Sequence, residues 1–211
     1  MGVLLGLSVL AVAIIIAKMY QFTRGGLRRT AFVDEALGAL EAVGHQAALE
    51  ILGKRRHPVA RVMEGAIRCG ADPAFSTRDV EAEVGRIGSA EIRNLESWLR
   101  GLSSIAHLSP LLGLLGTVTG MITAFMRLEE GGGRVDPAML AGGIWEALLT
   151  TAFGLTVAIP AMAGFYYLEG RVDEVRAAMK DASVRVLRHF GKTPHLSDQD
   201  DEHLEDATHG I

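Results

Sequence analysis

Three apolar runs interrupt a chain that is otherwise polar. Residues 2–17 read GVLLGLSVLAVAIIIA and are closed by Lys18, Met19 and Tyr20. A run of about 18 apolar residues just spans a hydrocarbon layer of roughly 30 Å. No basic stretch precedes it and no A-x-A pattern follows it, so the expectation is a retained anchor and not a cleaved signal. Tyr20 and Phe22 suit a membrane interface. The second run covers residues 108–126 and the third residues 144–168, with the short polar stretch LEEGGGRVDP between them.

Between the first and second runs the pattern is that of amphipathic helices. Val33, Leu37, Leu40, Val43 and Ala47 recur at three- and four-residue spacing, and Ile51 and Leu52 continue the face. Gly53 and the KRRHP run end it. A second helix is predicted over 59–68, and Gly70, Asp72, Pro73 and Ser76 make a connector. A helix restarts at Thr77, which serves as its N-cap without the reciprocal capping-box Glu. Val80, Val84, Ile87, Leu95, Trp98, Leu102 and Ile105 then lead into the second run without a proline. This predicts one helix over 79–127, about 70 Å long.

The fold class is therefore all-α: a polytopic membrane protein with three transmembrane helices and long cytoplasmic helical extensions. The segments are a first transmembrane helix over 1–20, a cytoplasmic helical domain over 21–102 and a second transmembrane helix over 103–127. A short periplasmic loop over 128–143 and a third transmembrane helix over 144–168 follow. A cytoplasmic helix over 169–190 and a disordered acidic tail over 191–211 complete the chain.

Composition agrees with the membrane class. Of 211 residues 49% are hydrophobic and 22% charged, with a mean hydropathy of +0.24. The net charge of −4 matters less than where the charges fall. Lys18, Arg24, Arg28 and Arg29 precede the first acid, Asp34, while Arg171, Arg176, Lys180, Arg185 and Arg188 follow the third run. Two basic flanks on the same side predict an outside N-terminus, a cytoplasmic C-terminus and three spans. The basic cluster lacks interleaved aromatics, so no nucleic acid is expected.

Cys69 is the single cysteine, which excludes a disulfide framework and CxxC chemistry. His195, His203 and His209 lie in the acidic tail, where an unstructured chain does not fix ligand geometry, so no metal is expected. No nucleophile–base pair appears. GLLGTVTG (residues 113–120) lacks the following Lys-Ser/Thr of a phosphate loop and lies in a span. An enzyme is not expected, nor a cofactor.

The candidate chemistry lies in residues 108–168. Gly113, Gly116 and Gly120, with Ser109 and Ala124, form a small-residue stripe. Ala147, Thr151, Gly154, Ala158 and Ala161 form a matching one. Such stripes let helix backbones approach closely in lipid, within one chain or between subunits. Pro110 predicts a local bend. Pro160 removes the hydrogen bond to the Thr156 carbonyl and predicts a kink. Thr117, Thr119, Thr123, Thr150, Thr151 and Thr156 place hydroxyls in the two spans.

Glu146 is the one carboxylate in the apolar part of either span. In low dielectric its proton affinity should rise, which suits proton exchange. The other reading of the residues alone is an interfacial Glu that caps the third helix near Asp136 and Pro137. One carboxylate is half of a relay, so a partner with a second titratable group is implied. On a regular helix Thr150 lies about 40° from Glu146 and Thr151 about 140° away.

SPLLGLLGTVTGMITAF (109–125) and GIWEALLTTAFGLTVAIPA (143–161) resemble the paired signatures of the MotA/TolQ/ExbB proton-channel family. Three spans rather than four resemble its ExbB/TolQ branch. The resemblance implies an oligomeric ring in the bacterial inner membrane, a homopentamer, around an ExbD/TolR-type single-span partner that bears a membrane Asp. A TonB- or TolA-type energy transducer and membrane lipid complete the implied partners. The resemblance also implies protons as the transported ion, with proton-motive force turned into mechanical work for transport or envelope processes. Carried over by position, Thr117, Glu146 and Thr151 line the proton path, with Thr150 the geometric rival of Thr151. The alternative is a non-conducting membrane scaffold that assembles partner proteins.

Overall fold

The computed structural model describes residues 2–24, 31–130 and 137–192. Every regular element among them is a helix: α1 (Gly2–Arg24), α2 (Ala31–Ala42), α3 (His45–Gly53), α4 (Pro58–Ala71), α5 (Thr77–Glu96), α6 (Leu99–Glu130) and α7 (Pro137–His189). Gly2–Thr23, Leu99–Glu129 and Leu140–His189 contain windows long and apolar enough to cross a membrane. The all-α class with three candidate spans stands. The acidic tail beyond residue 192, the three tail histidines and the Gly131–Gly133 turn lie outside the described residues.

The chain forms two compact units. The first comprises Met1–Leu27 and Ile92–Glu174, the second Arg28–Glu91 and Val175–Ile211.

In the second unit, the single helix face read over 33–52 is two helices. The chain turns at Gly44, whose φ of 116° favours a residue without a Cβ. Val43 and Gly44 both donate to the Ala39 carbonyl (2.9 and 3.0 Å), and Val43 is 78% exposed. The periodic face therefore ends at Leu40, and burial resumes at Ala48 and Leu52. Helix α4 follows, with Pro58 in its first turn and His57 as N-cap, Nδ1 accepting from the Val59 amide at 3.1 Å. Leu40, Leu52, Val62, Met63, Ile67 and Val80 are buried at 2% exposure or less, as an amphipathic fold requires. The end of α7 belongs here too. Lys192 Nζ donates to the carbonyls of Cys69 (3.3 Å), Asp72 (3.2 Å) and Phe75 (2.8 Å), neutralising the carbonyl end of α4 and its connector.

The N-cap of α5 is Ser76, not Thr77. Ser76 Oγ accepts from the Asp79 amide (3.3 Å), and Asp79 Oδ2 accepts from the Ser76 hydroxyl (2.5 Å) and amide (3.1 Å). This is a reciprocal capping box with Asp in place of Glu. The Ser76 hydroxyl first, and its amide second, hold the Asp79 carboxyl below its ordinary value.

In the first unit, the helix read over 79–127 is interrupted at Ser97 and Trp98. Trp98 has φ 68°, a conformation that costs an ordinary L-residue roughly 1–2 kcal/mol. The interruption is held from α1. Leu4, Ala11, Ile14, Lys18 and Phe22 form that helix's buried stripe, and Lys18 is only 3% exposed. Its Nζ donates to the Leu95 carbonyl (3.0 Å), Ser97 Oγ (3.1 Å) and Gln21 Oε1 (3.1 Å). Ser97 passes the contact on to the Asn94 carbonyl at 2.7 Å. A cation thus sits on the carbonyl end of α5, where a helix dipole favours it.

Helices α6 and α7 form an antiparallel hairpin that buries small residues and leaves large ones outside. A Cβ built on Gly154 would stand 2.6 Å from the Ser109 carbonyl oxygen, and one on Gly113 3.0 Å from Thr151 Cα. On Gly120 it would meet Ala147 Cβ at 2.9 Å, and on Gly143 Ala124 Cβ at 2.6 Å. Both sequence stripes therefore pack against each other within one chain. Leu111, Leu114, Leu115, Phe125, Leu148 and Ile159 are exposed, the reverse of a water-soluble bundle. Both helices continue through their prolines, Pro110 and Pro160. α7 begins at Pro137, so residues 137–143, read as loop, are its first two turns.

Two measurements check this packing. Gly154→Ala and Gly113→Ala press a methyl against backbone, and each should lower the melting stability of the detergent-solubilised chain by roughly 1–3 kcal/mol. Gly116→Ala meets Thr150 Oγ1 at 2.5 Å and Thr150 Cβ at 2.8 Å; the hydroxyl can rotate away but Cβ cannot, so its loss should be comparable. Gly142→Ala has open space and should be neutral.

A second prediction concerns the capping box. The folded value of Asp79 is depressed, so its stabilisation is present above the unfolded carboxyl value, about 3.9, and fades as pH falls through the folded one. Ser76→Ala should speed hydrogen exchange in the first turn of α5 near neutral pH. The gap from the parent chain should narrow as the pH drops below about 4.

Candidate functional site

The hairpin decides where each candidate side chain faces. The pairs Gly143–Ala124, Ala147–Gly120, Thr150–Gly116, Thr151–Gly113 and Gly154–Ser109 set its register. Glu146 thus stands at the level of Gly120, about ten residues inside α7. Dipole stabilisation falls off within the first turn. The cap reading of Glu146 therefore loses its basis, because the helix starts at Pro137. The carboxylate is exposed on the outer surface of the hairpin, between the exposed Trp145 and the buried Ala147.

Thr150 and Thr151 both reach across the seam. Thr151 Oγ1 donates to the Gly113 carbonyl at 3.0 Å. Thr150 Oγ1 stands 2.7 Å from the Ala147 carbonyl and 3.3 Å from that of Gly113. These hydroxyls converge on one carbonyl of α6, a polar tie inside a seam of glycines. Thr117 donates to the Leu114 carbonyl of its own helix at 2.7 Å and borders a groove of 540 Å³. The groove is lined by Thr117, Val118, Met121, Ile122, Phe125, Met126 and Glu129. Thr119, Thr123 and Thr156 bond to preceding-turn carbonyls.

At about 100° per residue, Thr117 lies about 60° round α6 from Gly120, and Thr151 about 40° round α7 from Ala147, in the same sense. Thr150 and Glu146 lie about 60° and 100° round α7 in the opposite sense. In an antiparallel pair equal senses fall on one side of the seam. One flank of the hairpin therefore carries Thr117 and Thr151, and the other carries Thr150 and Glu146. The structure brings the two threonines of the seam together and holds Thr117 and Glu146 apart.

Elsewhere the chemistry is muted. Burial first, then Glu83, pushes the Cys69 thiol up, which disfavours the reactive thiolate. Among the described residues no group of three or more His, Cys, Asp or Glu side chains could hold a metal ion. Sequence reasoning missed Lys18 as a buried group and read it as a flanking charge. The signal was its place on the stripe of Leu4, Ala11 and Ile14.

Comparison with known proteins places these features. The model of the MotA/TolQ/ExbB proton channel family matches residues 54–181, from α4 through the hairpin. A biopolymer transport protein ExbB homolog of Methanothermobacter thermautotrophicus is 36% identical over 137 residues, covering 64% of this chain and 47% of the relative. The Tol-Pal system protein TolQ of Haemophilus influenzae is 40% identical over 110 residues, 50% of this chain and 48% of TolQ. The ExbB-like protein 3 of Synechocystis is 33% identical over 161 residues, 75% of either chain. The chain thus spans about half the length of the first two relatives and three quarters of the third. With that match over the hairpin and the helices before it, the chain is a multi-pass membrane protein that belongs to the MotA/TolQ/ExbB proton channel family, on its ExbB/TolQ branch.

Proposed function

We propose that the chain is a proton-channel and stator subunit of a bacterial inner membrane. In this reading it works with a single-span partner of ExbD/TolR type and converts proton-motive force into mechanical work for transport or envelope processes. The supporting observation is Glu146, an exposed carboxylate about ten residues inside an apolar helix, on the flank opposite Thr117. A carboxylate at that depth is costly in lipid and is tolerated where it meets water or another polar group.

The two-flanked hairpin suits a ring. Copies set side by side would bring the Thr117–Thr151 flank of one towards the Glu146–Thr150 flank of the next. A pentamer around the partner's membrane Asp would then supply both titratable groups of a relay. The basic flanks Arg24–Arg29 and Arg171–Arg188 support a periplasmic N-terminus and a cytoplasmic C-terminus. A TonB- or TolA-type transducer would carry the work outward.

A scaffold without conduction is the second reading. Disrupting the glycine stripe does not separate the two, because Gly116 and Gly120 pack within the chain and their loss damages either function. The carboxylate does separate them. Proton uptake into membrane vesicles, followed with a pH-sensitive dye at matched protein amounts, should fall to background for Glu146→Gln and strongly for Thr117→Val. Thr151→Val should lose uptake, and Thr151→Ser, which keeps the hydroxyl tie to Gly113, should retain it. Full uptake by Glu146→Gln would remove the conducting reading and leave the scaffold.

A further inference from the structure

Glu146 is the one carboxylate in the apolar part of the two spans, but α6, whose candidate span is bounded by Leu99 and Glu129, also carries His107, one residue before its apolar run. Its imidazole is exposed. Nδ1 lies 2.7 Å from the Ser103 carbonyl oxygen and 3.5 Å from Ser103 Oγ. A carbonyl oxygen can only accept, so Nδ1 carries the hydrogen, and in the neutral ring Nε2 holds the basic lone pair. The helix's own backbone thus sets the tautomer and leaves the proton-accepting atom on the far side of the ring.

The position of His107 on α6 is equally specific. At about 100° per residue it falls in line with Phe125 and within about 40° of Arg100, Val118, Met121 and Glu129. Val118, Met121, Phe125 and Glu129 line the groove, and Thr117 borders it about 80° round. This otherwise apolar face therefore carries His107 towards one end, Glu129 at the other and the Thr117 hydroxyl between them. His107 and Thr117 are about 15 Å apart along the axis, and Thr117 and Glu129 about 18 Å.

We propose that His107 is a proton-relay residue at the Arg100 end of this face, on the same path as Thr117. The proposal rests on the conducting reading above. Nε2 takes a proton from water on the Thr117 side, forming an N–H bond as an O–H bond breaks. The imidazolium keeps its Nδ1–H bond to the Ser103 carbonyl. It then gives the Nε2 proton to water on the Arg100 side and returns to the neutral ring. The distances require water between His107 and Thr117.

The other charged groups are placed as follows. From α1, Lys18 donates to the end of α5, and Tyr20 lies two residues further on. From α7, Glu146 stands about 20 Å along by the seam register, and Glu169 and Arg171 follow the apolar run, Arg171 pairing with Glu174. Glu129 is the carboxylate of the groove itself.

The first measurement is ¹⁵N NMR of the histidine-labelled full chain in lipid nanodiscs, with His107→Asn identifying the signals. Asn keeps a donor where Nδ1 stands but does not titrate. The expected result is a neutral ring protonated at Nδ1. A neutral ring protonated at Nε2 overturns the proposal.

The second measurement is vesicle proton uptake at matched protein amounts. His107→Asn is expected to lower the rate several-fold. Thr117→Val and Glu146→Gln are measured beside it. If those two stop uptake while His107→Asn leaves the rate unchanged, His107 has no part in the path. If neither of the two lowers uptake, the conducting reading falls and the role of His107 falls with it.

Discussion

The backbone contact between α6 and α7 is the constraint on which the rest depends. Gly113 and Gly154 bring two helices so close that a single added methyl would meet a carbonyl oxygen or a Cα. In lipid nothing apolar drives that approach, because Leu is as comfortable against an acyl chain as against another helix. What holds it is dispersion over small residues and the two hydroxyls of Thr150 and Thr151 aimed at the Gly113 carbonyl. The register so set fixes the level of Glu146, the flank of Thr117 and the outward turn of every large apolar side chain.

The same packing explains what was legible in advance. The spans were plain because length and hydropathy are one-dimensional properties. The small stripes were plain because they recur at helical spacing. Whether those stripes served one chain or several could not be read, since either use needs the same residues. The place of Glu146 relative to the helix start was obscured for a simpler reason. Pro137, Ala138 and Met139 suit a loop as well as a first turn, and only the built helix puts the carboxylate beyond the reach of its dipole.

The misread elements have a common cause. The interruption at Trp98 has no glycine or proline to announce it, and it exists because a lysine eighty residues earlier takes up the Leu95 carbonyl. The turn at Gly44 was hidden by Val43 and Ala47, which keep the period but not the burial. The Ser76 cap was missed by expecting Glu where Asp makes the same bonds. Local pattern predicts helices well, and it fails where a distant side chain or one unusual φ decides their ends.

The buried lysine also constrains how the chain is made. Lys18 emerges from the ribosome 77 residues before Leu95. At about 5–20 residues per second its acceptors on Leu95 and Ser97 follow by about 4–15 s. Through that interval the ammonium has only Gln21 of its own helix to receive it, and a long flexible stem lets it lie among lipid headgroups. The first span is thus inserted with one face unfinished. That face is completed only when Leu95 and Ser97, just ahead of the second span, arrive.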